Sequence, residues 1–160
     1  MSMTRASLKD IKQELKDKSH QELIDICTRL CRFKKENKEL LGYLLFEAYD
    51  KESYLESVKV EIDARFRNIN QKSPYYVRKS MRSILQSTRT YARYTGDAEI
   101  EIELLIHFCA RMKEFDLKKT GNKRLAKMYQ TLVGSLDKKI SVLHEDLQYD
   151  HQQALRKLEA

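Results

Sequence analysis

From Leu23 to Leu147 apolar side chains return at intervals of three and four residues in one segment after another, the spacing that lays a single stripe along an α-helix. The breaks between the striped segments carry helix punctuation. One proline and four glycines in 160 residues leave few turns from which a sheet could be built. The expected fold is therefore all-α.

Helix starts can be placed individually. Ser7 with Asp10, and Ser19 with Glu22, have the spacing of capping boxes, in which the serine oxygen accepts a backbone N–H and the carboxylate reaches back. After Ser19 the stripe is Leu23, Ile26, Cys27, Leu30 and Phe33, ending near Lys34-Lys35-Glu36-Asn37. Leu40, Leu41, Leu44, Leu45 and Ala48 restart it, so residues 20 to 48 read as a helical hairpin. Asp50 caps a fourth helix with Leu55, Val58, Ile62, Phe66 and Ile69 inward. Ser73-Pro74 opens a fifth, since proline at the first helical position loses no hydrogen bond. Gly96-Asp97 ends it and caps a sixth, apolar over most of its circumference and expected at the centre. Gly121-Asn122 precedes a seventh that carries the stripe from Leu125 through Leu143 and Leu147. Gly42 and Gly134 fall inside helical patterns, where close packing would compensate for their poor propensity.

About seven helices in a compact bundle, or a short HEAT-like stack of helical hairpins, are both compatible with this pattern. A chain of this length fits one domain. Residues 1–150 are assigned to it, with 151–160 as a C-terminal extension that either continues the helix or is flexible.

Cys27, Cys31 and Cys109 are too few for a disulfide framework and fit reduced thiols packed as small hydrophobes in a cytoplasmic protein. Arg5, Lys9, Asp10 and Lys12 interrupt any stretch of signal-peptide length. The run Leu40 to Phe46 falls far short of the roughly 20 residues needed to span a bilayer. No membrane partner is expected.

Charge is distributed unevenly. Residues 64–96 hold eight basic side chains and no acidic one, within a chain whose net charge is +7. Arg78, Arg82, Arg89 and Arg93 fall within a stripe roughly 60° wide on the fifth helix, and Tyr75 projects onto it. Like charges four apart cost roughly 0.2–0.5 kcal/mol per pair, so something anionic should face them. Either the arginines pair internally with carboxylates such as Glu99, Glu101 and Glu103, or they meet an external anion. An acidic protein surface is the leading partner, which makes the domain a non-catalytic binding or adaptor module. Nucleic acid bound without sequence preference, with Tyr75, Tyr76 or Tyr94 stacking on bases, is the alternative. Lys118, Lys119, Lys123, Arg124 and Lys127 would extend such a surface.

Metal chemistry has weaker support. Glu99, Glu103 and His107 share a helix face and offer oxygen and nitrogen ligands, but no Glu-x-x-His pair of the di-iron type accompanies them. His144 and His151 share a second face. Cys27 and Cys31 lie one turn apart, which is not the spacing of a zinc knuckle. Glycine-rich phosphate loops, nucleophile elbows and His-Glu-x-x-His motifs are all missing. Neither catalysis nor a cofactor is expected.

The run Ser19-His-Gln-Glu-Leu-Ile-Asp-Ile-Cys-Thr-Arg-Leu, continuing through Phe33-Lys-Lys-Glu-Asn-Lys-Glu-Leu-Leu to Phe46, resembles the opening hairpin of small uncharacterised bacterial all-helical proteins. The resemblance implies an all-helical fold and a bacterial cytoplasmic setting. It carries no functional residues with it.

Overall fold

A computed structural model describes residues 5–115 and 123–160. Among these the chain forms eight α-helices, with a short π-helical stretch at Tyr43–Glu47 and no strand: α1 (Leu8–Lys16), α2 (His20–Phe33), α3 (Lys35–Gly42), α4 (Lys51–Arg67), α5 (Pro74–Thr95), α6 (Ala98–Glu114), α7 (Lys123–Ser141) and α8 (Glu145–Glu159). The all-α expectation holds. The chain divides into two compact units, Met1–Phe46 and Glu47–Ala160, instead of a single domain with a short extension.

In unit 1 both capping boxes form, with Ser7 and Ser19 accepting the backbone N–H of Asp10 and Glu22 and the two carboxylates returning the bond. One extended residue, Lys34, separates α2 from α3. Asn37 closes this turn by donating its Nδ2 to the Leu30 carbonyl at 2.9 Å. None of α1, α2 or α3 buries a side chain, and Tyr43 is the one buried residue of the described part of this unit.

Unit 2 is a bundle built around α6, which packs against α4, α5, α7 and α8. A solenoid element would touch only its sequence neighbours, so the HEAT-like alternative does not describe this unit. The reason lies in the sequence of α6: Ile100, Ile102, Leu104, Leu105, Phe108, Cys109 and Met112 are all buried, so the helix must be surrounded. Its start is fixed by Gly96 in the left-handed conformation (φ 59°) and by Asp97, whose side chain accepts from the N–H groups of Glu99 and Ile100. Ser73 and Asp50 cap α5 and α4 as their positions suggest.

The seventh helix is shorter than its stripe implies. Leu143 N–H bonds back to Ile140 at 3.0 Å, His144 becomes the N-cap of α8, and Gln148 Nε2 donates to the carbonyls of Ser141 and Leu143 at 3.2 and 2.7 Å. Leu147 is consequently more than a third exposed. The core contacts shift to His151, Leu155 and Leu158 on α8. Lys113 and Tyr129 satisfy the last carbonyls of that helix, with Tyr129 Oη donating to Leu158 O at 2.8 Å. Residues 151–160 thus belong to the bundle, and a boundary at 150 cuts through α8. The expected break at Gly121-Asn122 lies outside the described residues.

Close packing does not explain the glycines inside helices, because a Cβ added at Gly42 or Gly134 would meet no atom within 4 Å. Gly134 lies mid-helix in α7 without a positive φ. Gly134→Ala is expected to stabilise unit 2 by roughly 0.5–1 kcal/mol, since it removes chain entropy at no steric cost. At Gly96 the left-handed backbone makes the same change unfavourable by about 1 kcal/mol. Thermal denaturation of the two variants should move the midpoint in opposite directions.

Candidate functional site

Proline at its first position and a serine cap fix where α5 begins, and its buried residues Val77, Met81, Ile84, Leu85, Thr88 and Ala92 fix which way it faces. That orientation carries the arginines to the rim. Arg82, Arg89 and Arg93 are exposed and Arg78 is half-buried. Among the described residues none of the four makes an ion pair. The carboxylates suggested as internal partners are engaged elsewhere: Glu99 with His151 at 3.1 Å, Glu101 with Lys139 at 2.9 Å and Glu103 with Lys59 at 3.5 Å.

Across from α5, the first turns of α7 complete a groove of about 460 Å³. Arg78, Arg82 and Arg89 form one wall, and Arg124 and Lys127 the other. Between them lie Leu85, Leu125, Met128 and Leu132, together with Thr131, so five cations border a lining that is mainly apolar. Met128 is half-buried and reachable from solvent, while the three leucines belong to the core.

Two residues expected at the site stand outside this groove. Arg93 does not line it. Tyr75 sits beside Arg78, whose Cζ lies 6.0 Å from the ring centroid, and packs edge-on against Tyr76 at 5.4 Å. Tyr91 and Tyr94 pair with each other, and Tyr76 belongs to a separate crevice between α4 and α5. Among the described residues no aromatic ring lines the basic groove. Arg124 and Lys127 of the second basic stretch do reach it, whereas Lys118 and Lys119 lie outside the described residues.

The helix face Glu99, Glu103, His107 does not assemble as a ligand set. His107 turns to α4 and donates from Nε2 to Asp63 Oδ1 at 2.7 Å. Asp63 also receives Arg111, through Nε at 2.7 Å and NH2 at 3.0 Å. Burial pulls the Asp63 carboxyl up, but the bonds from Arg111 and His107 outweigh it and hold it below its ordinary value. In place of His107, α8 brings His151 to Glu99 and Glu103, with one ligand atom from each residue within 4.8 Å of the others. His144, the other histidine of that proposed face, is exposed and pairs with Asp146 as the α8 cap. Of the cysteines, Cys109 is buried, and burial pushes its thiol up to about 12. Cys31 is half-buried, and Cys27 is exposed instead of packed in a core.

Asp63 gave no local signal in the sequence, because its partners are 44 and 48 residues away. Nor does the second wall of the groove follow from α5. Both require knowledge of which helices pack together. Compared with known proteins, the chain matches no family model, no curated protein and no solved structure.

Proposed function

We propose that unit 2 is a non-catalytic adaptor module whose groove between α5 and α7 holds an acidic, amphipathic segment of a partner protein. The observation that carries this reading is the apolar lining between two cationic walls. Facing rows of guanidinium and ammonium groups, without an ion-pair partner among the described residues, raise the local potential, which an anionic partner relieves. Arginine offers the fork geometry that carboxylates fill, and its stem adds apolar surface. Met128 supplies an adaptable contact for an aliphatic side chain.

A phosphate backbone would use the same charges, but single-stranded nucleic acid also draws on stacking, and the tyrosines stand away from the groove. This favours the protein partner. A cytoplasmic location is part of the proposal and is supported by three free thiols. Among the described residues no helix is long and apolar enough to cross a membrane.

The test is fluorescence anisotropy with a labelled helical peptide bearing glutamates on one face and leucines on the other. Changing Arg78, Arg82 and Arg89 together to glutamine is expected to weaken binding about tenfold or more, from about 0.5–1 kcal/mol per exposed charge contact. Met128→Ala should weaken it as well, with little dependence on salt. Salt-steep binding of unrelated DNA or RNA that ignores Met128→Ala would replace this reading with the nucleic-acid one. If neither probe binds at low salt, the groove is not a docking site.

A further inference from the structure

We propose that Glu99 and Glu103 of α6 and His151 of α8 hold a divalent first-row transition-metal ion of the zinc class, which ties α8 to the central helix of unit 2. One ligand atom from each of the three side chains lies within 4.8 Å of the other two. The glutamates are four residues apart and share one face of α6. Against that helix packs α8, which delivers the histidine from 52 residues beyond Glu99.

His151 is no surface histidine beside an acidic patch. It is 8 % exposed, and its Nε2 stands 3.1 Å from Glu99 Oε1. Around Zn²⁺, with bonds of about 2.0–2.2 Å, the atoms of a tetrahedral ligand set are about 3.3–3.5 Å apart. The Nε2 and Oε1 atoms therefore already stand near the spacing of two ligands on one ion. Glu103 closes the set by a shift of at most about 1.5 Å. The side chains of Glu99 and Glu103 are 36 % and 33 % exposed, so water can reach the ion and fill the remaining position.

Charge points the same way. At Asp63 one carboxylate meets two cation-capable side chains, so that cluster is complete in itself. Around His151 the ratio is reversed. Glu103 has Lys59 at 3.5 Å, but Lys59 is closer to Glu56, at 2.9 Å. Three carboxylates, those of Glu56, Glu99 and Glu103, thus share one ammonium and one imidazole. A divalent cation between Glu99 and Glu103 offsets this excess and leaves Lys59 to Glu56. The donor types select the metal. Imidazole suits zinc and its first-row neighbours, whereas Mg²⁺ and Ca²⁺ take oxygen ligands. The ion acts as a brace, because it binds a ligand set that exists only when α6 and α8 are packed together.

The test is equilibrium dialysis of the full chain against micromolar Zn²⁺, with Cys27→Ser and Cys31→Ser introduced so that the thiols of α2 cannot compete as ligands. One Zn²⁺ per chain is expected. The melting temperature of unit 2 should rise by roughly 5–10 °C at a hundredfold excess over the dissociation constant, and Mg²⁺ at the same concentration should not raise it. Co²⁺ should give visible d–d bands without thiolate charge-transfer bands. Glu103→Gln and Glu99→Gln keep the side-chain volume, and each should weaken Zn²⁺ binding about tenfold or more and remove the thermal shift. Lys59→Gln releases Glu103 and should tighten binding instead. Absence of bound Zn²⁺ overturns the proposal, as does binding that neither glutamine variant weakens. His151→Ala should abolish binding. Should that variant fail to fold, the two glutamine variants at half-exposed positions decide the matter.

Discussion

Phe108→Ala is expected to destabilise unit 2 by about 3–5 kcal/mol, the range measured when a large aromatic is truncated in a core that cannot collapse around the space. Phe108 is 0 % exposed at the middle of α6, and its ring lies 5.4 Å from that of Phe66 on α4, at a 55° tilt. Leu104 and Met112, one turn before and after it on α6, and Leu136 on α7 are also completely buried. None can move into the vacated volume without giving up contacts of its own. The melting temperature of unit 2 should fall by roughly 10–20 °C, given its size. A fall of only a few degrees, measured by circular dichroism, would mean that α6 is not the centre of this core. Phe108→Leu keeps most of the volume and should lose much less.

The second large effect belongs to Asp63. It receives three hydrogen bonds from two cation-capable side chains, and its own side chain is 21 % exposed. Asp63→Ala leaves His107 and one edge of Arg111 facing a partly buried space without an acceptor. A cost of about 1–2 kcal/mol is expected, below that of a fully buried pair because solvent reaches the cluster and Arg111 retains Glu114 at 2.7 Å. The pH dependence gives a separate check. A carboxyl held below its ordinary value of 3.8 contributes stability that is complete above that value and lost as pH falls through the lower, folded one. The wild type should therefore lose more stability than Asp63→Asn on acidification below about pH 4. Equal acid sensitivity in the two proteins, from urea titrations over that range, would refute the assignment.

The helix starts were legible because their causes are local. A serine and a carboxylate three residues apart, a proline after a serine, or a glycine before an aspartate acts within one turn, and such pairs fix the starts of α1, α2, α5 and α6 where the sequence suggests. The corner between α7 and α8 was not legible, because neither glycine nor proline marks it. It is made by a histidine cap and by a glutamine that reaches back from the next helix. The division after Phe46 was hidden for a related reason. The stripes of α2 and α3 look like any core-facing stripe, and only the packed chain shows that nothing within them is buried. The arginine wall of α5 was read from spacing alone, whereas Arg124 and Lys127 join it through tertiary packing. The same is true of His151, which meets Glu99 from α8 where a single-helix projection had placed His107.

The central place of α6 also bears on the order in which the protein can be completed during synthesis. Its partners α4 and α5 precede it along the chain, and α7 and α8 follow. When α6 first leaves the ribosome, at about 5–20 residues per second, only half of its circumference has anything to pack against. The remaining half stays open until Leu136, Ile140, Leu155 and Leu158 have been added. During that interval the growing chain displays the most apolar helix it possesses.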